Sequence, residues 1–363
     1  MKILTIGSAT EDIFIRQSQP HFINCQLPDI QSSFLAITKG SKSDIEPLVI
    51  SIGGAATNAA ATFNHYGYHS YICSIVGSDQ SGTVVCKKLE QKNINLDFLQ
   101  KSSTTNTTKS FIFSFPDGER SILTDRGAQN ELSLHHLKNN LGQFNALYVS
   151  GLTENPNKEL AALLAQAKEK DIFVAINPGS FQLKQGFSTF ENCLSSINVL
   201  ITNTEEAKLL FEQLLPFGTT PRFQSAVNQS KVPQLLRAFF KTNTQTYTLH
   251  DYFSLLHGCG IKIAVVTDGK NGVYMSNQAS IYYHQALSGT VVNTVGAGDA
   301  FGSTFVAALL DKKSIEEAMM IGLLNSKSVI NKLDAQSGLL SKTALLQQLQ
   351  VTGYSLIQIF PLS

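Results

Sequence analysis

The sequence predicts an α/β fold: a mostly parallel central sheet with helices on both faces, plus a small β-sheet set apart from it. Three observations predict it. Short β-branched runs alternate with helical patterns over most of the chain. Glycine-rich turns stand at changes of element, as after Lys262–Thr267 and before Ser303–Leu310. Two stretches, about 13–50 and 104–128, break the helical rhythm and carry short apolar runs. Repeated strand–helix units need crossover helices, which cover both faces of a parallel sheet. A length of 363 residues suits one large domain with an appendage. We read residues 1–363 as a single domain, with the two irregular stretches as lid segments.

The elements follow in order. Lys2–Gly7 reads as a strand, and Ala55–Tyr66 as an alanine-rich helix closed by Gly67. Ser70–Val76 is a strand and Gln80–Lys92 a helix. Lys109–Asp125 reads as a hairpin around Pro116-Asp117-Gly118, whose proline and glycine supply the turn dihedrals. Ala146–Ser150 is a strand, Asn157–Lys170 a helix, and Ile172–Ile176 and Val199–Thr202 further strands. Phe211–Tyr247, rich in Gln, Asn and Thr, is expected to be a surface insertion with one short helix, Val232–Phe240. Lys262–Thr267 is a strand, and Ser314–Leu333 is helical.

Composition excludes several classes. The chain is 43% apolar and 15% charged, as ordinary globular proteins are. Its net charge of +1 creates no long-range field for nucleic acid or anionic membrane, so neither is expected as a partner. The five cysteines are scattered without a C-x-x-C pair, which argues against zinc and disulfides and for a reducing compartment. Glu11 and Asp12 end the first apolar run too early for a signal peptide. No run approaches the roughly 20 apolar residues of a membrane span. A cytoplasmic location is expected.

The strongest chemical signal is Asn293-Thr294-Val295-Gly296-Ala297-Gly298-Asp299-Ala300-Phe301-Gly302, running into a helix. Small residues let the backbone turn sharply into a helix N-terminus, where unpaired N–H groups and the helix dipole favour anions. Such a nest can hold the oxygens of a phosphoryl group in transit. A carboxylate in the first turn beside it can take a proton from an attacking hydroxyl. Alone, Asp299 would read as an ordinary cap worth about 1 kcal/mol. The whole segment points instead to a phosphate or nucleotide site. Its glycines also fit a dinucleotide pattern, but that needs a second strand ending in an acid about 20 residues on. Ser314–Leu333 is helical there, so an oxidoreductase is disfavoured, and no G-x-x-x-x-G-K-[ST] occurs anywhere.

A second motif, Gly53-Gly54-Ala55-Ala56-Thr57-Asn58-Ala59-Ala60, has the form G-G-x-x-x-N-x-A. With the D-T-x-G-A-G-D-like segment, it makes nearly the whole chain resemble the ribokinase-like (PfkB) carbohydrate kinase family. The resemblance implies a ribokinase-like fold with a small β-lid. It also implies ATP and Mg²⁺ as cofactors and a sugar or nucleoside hydroxyl as acceptor. Asp299 would be the base, and Gly296, Ala297 and Gly298 the anion hole. Asp12, after the first strand, would grip substrate hydroxyls, because a carboxylate accepts two hydrogen bonds from a diol. Gly53, Gly54 and Asn58 would approach the substrate. Asn203-Thr204-Glu205-Glu206 resembles the family's N-x-x-E motif, which places Asn203 at ATP and Glu206 near magnesium through water. The same spacing fits a helix-capping box, and spacing does not separate the two. Thr267, Gly269 and Gly272 resemble the turn lining the nucleotide pocket and also read as a hairpin turn. Asn325 would face the adenine. The lid would offer a contact for a homodimer.

Departures bear on the substrate and the cation. Asn293 replaces the signature's first aspartate, which in several relatives helps hold a monovalent cation, so no potassium requirement is expected. Thr10 and Ser150-Gly151-Leu152 differ from ribokinase proper, and Gly118–Ala128 does not separate sugar from nucleoside kinases. A silent sugar sensor on the same fold is the remaining alternative, which Asp299 argues against.

Overall fold

A computed structural model describes residues 1–362 except 19, 28–29, 116–117, 186–192, 218–231 and 244. The tip of the 109–125 hairpin and the middle of the 211–247 stretch therefore lie outside the described residues. Among the described residues, ten strands form one sheet. From one edge they run Asn95–Ser102, His69–Gly77, Lys2–Ile6, Ala146–Ser150, Phe173–Asn177, Val199–Asn203 and Ile263–Thr267, all parallel. Val273–Asn277, Ser280–His284 and Gln358–Pro361 then complete the sheet as antiparallel strands. Ile3, Leu4 and Ile6 of the central strand are fully buried, because helices cover both faces.

The topology locates the cleft. Lys2–Ile6 pairs with His69–Gly77 on one side and with Ala146–Ser150 on the other. The chain order therefore reverses at the central strand, and such switch points open a crevice at the carboxyl ends of the strands. Two helices begin there, Ala55–His65 and Ala297–Leu310. The second lies close against the sheet, where a Cβ at Gly302 would come within 2.9 Å of the Tyr148 hydroxyl.

A separate four-stranded sheet stands over the same edge, in the order Val49–Gly53, Thr10–Ile15, Lys109–Ser114, Arg120–Asp125. Only its central pair is parallel. A further hairpin, His21–Leu27 with Ile30–Ala36, extends from it in sequence.

Several expectations are corrected. The helix expected from Asn157 begins at Glu154, since Pro156 sits in its first turn, where a missing N–H leaves no bond unmade. The edge strands Asn95–Ser102 and Gln358–Pro361, and Ser280–His284 beside the latter, escaped the pattern reading. Their polar edge residues blur the alternation. Of the 211–247 stretch, expected as a surface insertion, the described parts at both ends pack into the core. Phe211, Leu214, Leu235, Leu236, Phe239 and Tyr247 are buried, and Phe211 packs edge-on to Tyr247 and Tyr252. Its polar composition hid an aromatic cluster spaced irregularly along the chain. The helix expected at Val232–Phe240 is shorter, Gln234–Arg237.

Candidate active site

The ends of the parallel strands and the inner face of the small sheet enclose a cleft of about 520 Å³, within the usual range for a small-molecule site. Asp12, Gly54, Asn58, Asn203, Glu206, Thr267, Gly296, Gly298 and Asp299 line it. Residues 241 positions apart in sequence, Asn58 and Asp299, meet there directly.

Asp299 lies in the first turn of Ala297–Leu310. Gly296 caps that helix with φ +75, a left-handed conformation natural to glycine. A Cβ at Gly296 would come within 2.3 Å of the Ala335 Cβ, whereas at Gly298 it would meet nothing within 4 Å. The first glycine is demanded by packing, and the second leaves space in the cleft. Asn58 Nδ2 donates to Asp299 Oδ2 at 2.8 Å. Gln336 Nε2 in turn donates to Asn58 Oδ1 at 2.9 Å, which fixes the amide's orientation. Burial raises the Asp299 pKa, opposed by the Asn58 hydrogen bond and by the Arg120 guanidinium. Asn58 is thus a positioning residue for this carboxylate as well as a wall of the cleft. Asn58→Ala removes a donor that favours the ionised form, so it should raise the Asp299 pKa further. The acid limb of kcat/KM is expected to move to higher pH, and a limb that stays in place would detach Asn58 from the titrating group.

Asp12 sits on the opposite wall, in the strand Thr10–Ile15, and is only 5% exposed. Thr10 Oγ1 donates to its Oδ1 at 2.7 Å. A Cβ at Gly53 would fall 1.8 Å from Asp12 Oδ2, so the glycine is what lets the carboxylate lie against the neighbouring strand. Gly54 has φ +93, and a Cβ there would reach 2.5 Å from the Ser8 carbonyl oxygen. Ser8 Oγ accepts from the Ala55 N–H at 3.0 Å and so occupies one free donor of that helix. Burial raises the Asp12 pKa, hydrogen bonds from Thr10 and Ser110 lower it, and Asp299 raises it across the cleft.

Asn203 and Glu206 form a reciprocal capping box on the helix Thr204–Leu214. Glu206 still lines the cleft, and burial raises its pKa. Among the described residues no group of three acidic, histidine or cysteine side chains could enclose a metal. Two carboxylates, of Glu206 and Asp299, nonetheless fit magnesium. The ion keeps several waters and needs only one or two carboxylates plus phosphate oxygens, and Glu206 and Asp299 face one cleft.

Thr267 ends a strand at the cleft, while Gly269 and Gly272 make the turn into Val273–Asn277. Gly272, at φ +113, would press a Cβ 2.1 Å from the His284 carbonyl oxygen. Asn325 is corrected. It is fully buried, its Nδ2 donates to Thr304 Oγ1 at 2.6 Å, and its Oδ1 accepts from Leu340 N at 2.9 Å. The amide bridges the helix Ala297–Leu310 and the loop at Leu340, and Asn325 is not among the residues that line the cleft.

Asn293, 1% exposed, donates to Ser114 Oγ at 3.0 Å and accepts from Val295 N at 2.9 Å. The motif reading missed Gln336 and the arginines Arg120 and Arg126, which also face the cleft. Arg120, Ile122, Thr124 and Arg126 alternate, so their common face was legible in the strand period. Gln336 carried no such signal, being 278 positions from Asn58.

Comparison with known proteins identifies the family and the fold. The chain is 26% identical over 304 residues to a ribokinase from Haemophilus influenzae, covering 83% of this chain and 88% of that one. It is 23% identical over 346 residues to adenosine kinase 2 of Arabidopsis thaliana, covering 91% and 92%. The structure of Arabidopsis thaliana ribokinase complexed with ribose and ATP superposes with a TM-score of 0.70 at 18% identity, covering 96% of this chain and 98% of that one. No helix among the described residues is long and apolar enough to cross a membrane. The sequence profile of the pfkB family carbohydrate kinases matches residues 29–342, most of the chain, and the protein belongs to that family.

Proposed function

We propose that this protein transfers the γ-phosphoryl group of ATP to a hydroxyl of a sugar or nucleoside. The observation that carries the reading is Asp299, oriented by Asn58 beside a helix N-terminus whose Gly298 leaves open space in the cleft. Asp299 accepts the proton of the attacking hydroxyl, and the N–H groups of residues 296–298 hold the charge of the phosphoryl group. Asp12 and Asn58 orient the acceptor. Asn203, Thr267 and the turn at Gly269–Gly272 flank the nucleotide, and Glu206 holds magnesium through water. When bound, magnesium neutralises charge on the phosphates. The small sheet acts as a lid that excludes water, a competing nucleophile.

The relatives that carry ribokinase and adenosine kinase names support both acceptor classes. An ATP-consumption assay over sugars, sugar derivatives and nucleosides tests the reading. Turnover with at least one acceptor is expected; nicotinamide-cofactor binding without any ATP turnover would overturn it. Asp12→Ala is expected to raise the acceptor KM and leave nucleotide affinity unchanged, because Asp12 lies on the wall away from Thr267. Steady-state kinetics varying each substrate in turn would show it. An unchanged acceptor KM with weakened ATP binding would reverse the two walls.

A further inference from the structure

The inner face of the small sheet carries two guanidinium groups, one at each end. Arg120, Ile122 and Thr124 line the cleft because side chains on one strand face recur every second residue, and Arg126, the residue just past the strand's end, lines it too. At a rise of about 3.3 Å per residue, the ends of this row lie on the order of 20 Å apart. The near end belongs to the glycine nest: Arg120 donates to Thr294 Oγ1 at 2.5 Å. The far end lies beyond the cross-strand row Asp12, Ser110, Thr124, whose members pair directly. Counting from the nest, an acceptor molecule therefore meets Asp299 first, then Asp12, and then Arg126.

Arg126 is held in place by its neighbours and, among the described residues, has no ionic partner. Its guanidinium stacks over the Phe181 ring, 4.1 Å from the centroid, and Phe181 also lines the cleft. Stacking engages the flat face of the guanidinium and leaves its in-plane N–H donors free. The backbone beneath is pinned, since the Arg126 carbonyl accepts from Thr108 Oγ1 and from Gln129 N. Among the described residues, the ion pairs all involve lysine or histidine, and none reaches Arg126. The nearby acids are engaged elsewhere: Glu131 accepts from Ser102 and Thr104, and Asp125 from the Gly127 N–H. A planar fork of donors facing a cleft matches a carboxylate or a phosphate.

We propose that the acceptor is an acidic sugar, bearing a phosphate or carboxylate at the end away from the reacting hydroxyl, and that Arg126 on Phe181 binds that anion. This rests on the kinase reading above and names its substrate class. The test compares fructose 6-phosphate, ribose 1-phosphate and gluconate with fructose, ribose and adenosine, in ATP turnover and in calorimetric titration. An acidic sugar is expected to be preferred. Arg126→Gln should raise its KM on the order of 10- to 100-fold, the loss of a charge-assisted contact, with the effect falling on KM rather than kcat. Arg126→Lys should recover part of it, and Phe181→Leu should weaken binding less than Arg126→Gln. A neutral sugar or nucleoside used as well as the acidic ones overturns the proposal, as does an unchanged KM in Arg126→Gln. If no compound is turned over, the kinase reading fails, and the titrations still decide the subsite. Acidic sugars that bind the wild type but not Arg126→Gln keep it, and none binding the wild type removes it.

Discussion

Asp299→Asn is expected to lower kcat at least ~100-fold, the low end of general-base contributions, while ATP still binds. The amide keeps the shape of the side chain and can still meet Asn58, so the cleft is preserved while the proton acceptor is lost. Single-turnover kinetics with nucleotide titration would separate the two effects; near-wild-type turnover would assign the proton to another group. The same substitution should stabilise the fold at neutral pH. Burial raises the pKa of Asp299 in the folded state. A group shifted this way favours the fold fully below its unfolded pKa and loses that contribution as pH rises through the folded value. At neutral pH the buried wild-type carboxyl is therefore a burden that the asparagine lacks. The difference in Tm should shrink as pH falls toward the ordinary carboxylate range. Asp12 and Glu206 are shifted upward by burial too, so the cleft concentrates three reluctant anions. Such a site stores instability for use in binding and catalysis.

Gly296 and Gly298 should respond to alanine in opposite ways. Gly296→Ala places a methyl group in a left-handed conformation and against Ala335. The backbone penalty is about 1–2 kcal/mol and overpacking adds about 1–3 kcal/mol, so Tm and activity should fall together. Gly298→Ala meets no protein atom within 4 Å and lies in a helical turn, where alanine is favoured over glycine. Its Tm should hold or rise while activity drops, because the methyl group enters the space proposed for the phosphoryl oxygens. Thermal melts paired with rate measurements decide this. A fully active Gly298→Ala would move the anion site away from this helix.

The parallel core was legible because each strand buried on both faces reads as an apolar run, and each helix carries its own period. The strands Ser280–His284 and Gln358–Pro361 were not, because they lie at or near an antiparallel edge, where burial no longer dictates every position. The site was legible where chemistry compressed it into local motifs, as at 53–58 and 293–302. Where it depends on contacts between distant segments, sequence order gave no lead. Gln336 reaches Asn58 only after the whole chain has folded, and Asn325 read as an adenine contact although its helix buries that position completely. The three acids of the cleft likewise meet only when a strand of the small sheet and the N-termini of two helices converge.

The small sheet is joined to the glycine loop at three points: Asn293 to Ser114, Thr294 N–H to the Gly118 carbonyl, and Arg120 to Thr294. It is therefore not a free flap. Local opening of the 109–125 hairpin must break bonds that also shape the first turn of the helix bearing Asp299, so the two melt as one cooperative unit. Sequence drift in the hairpin is constrained accordingly. Changing its length near 114–120 would shift Arg120 and Gly118 relative to residues 293–294, and a surface loop that looks tolerant of insertion would act on the chemistry at a distance.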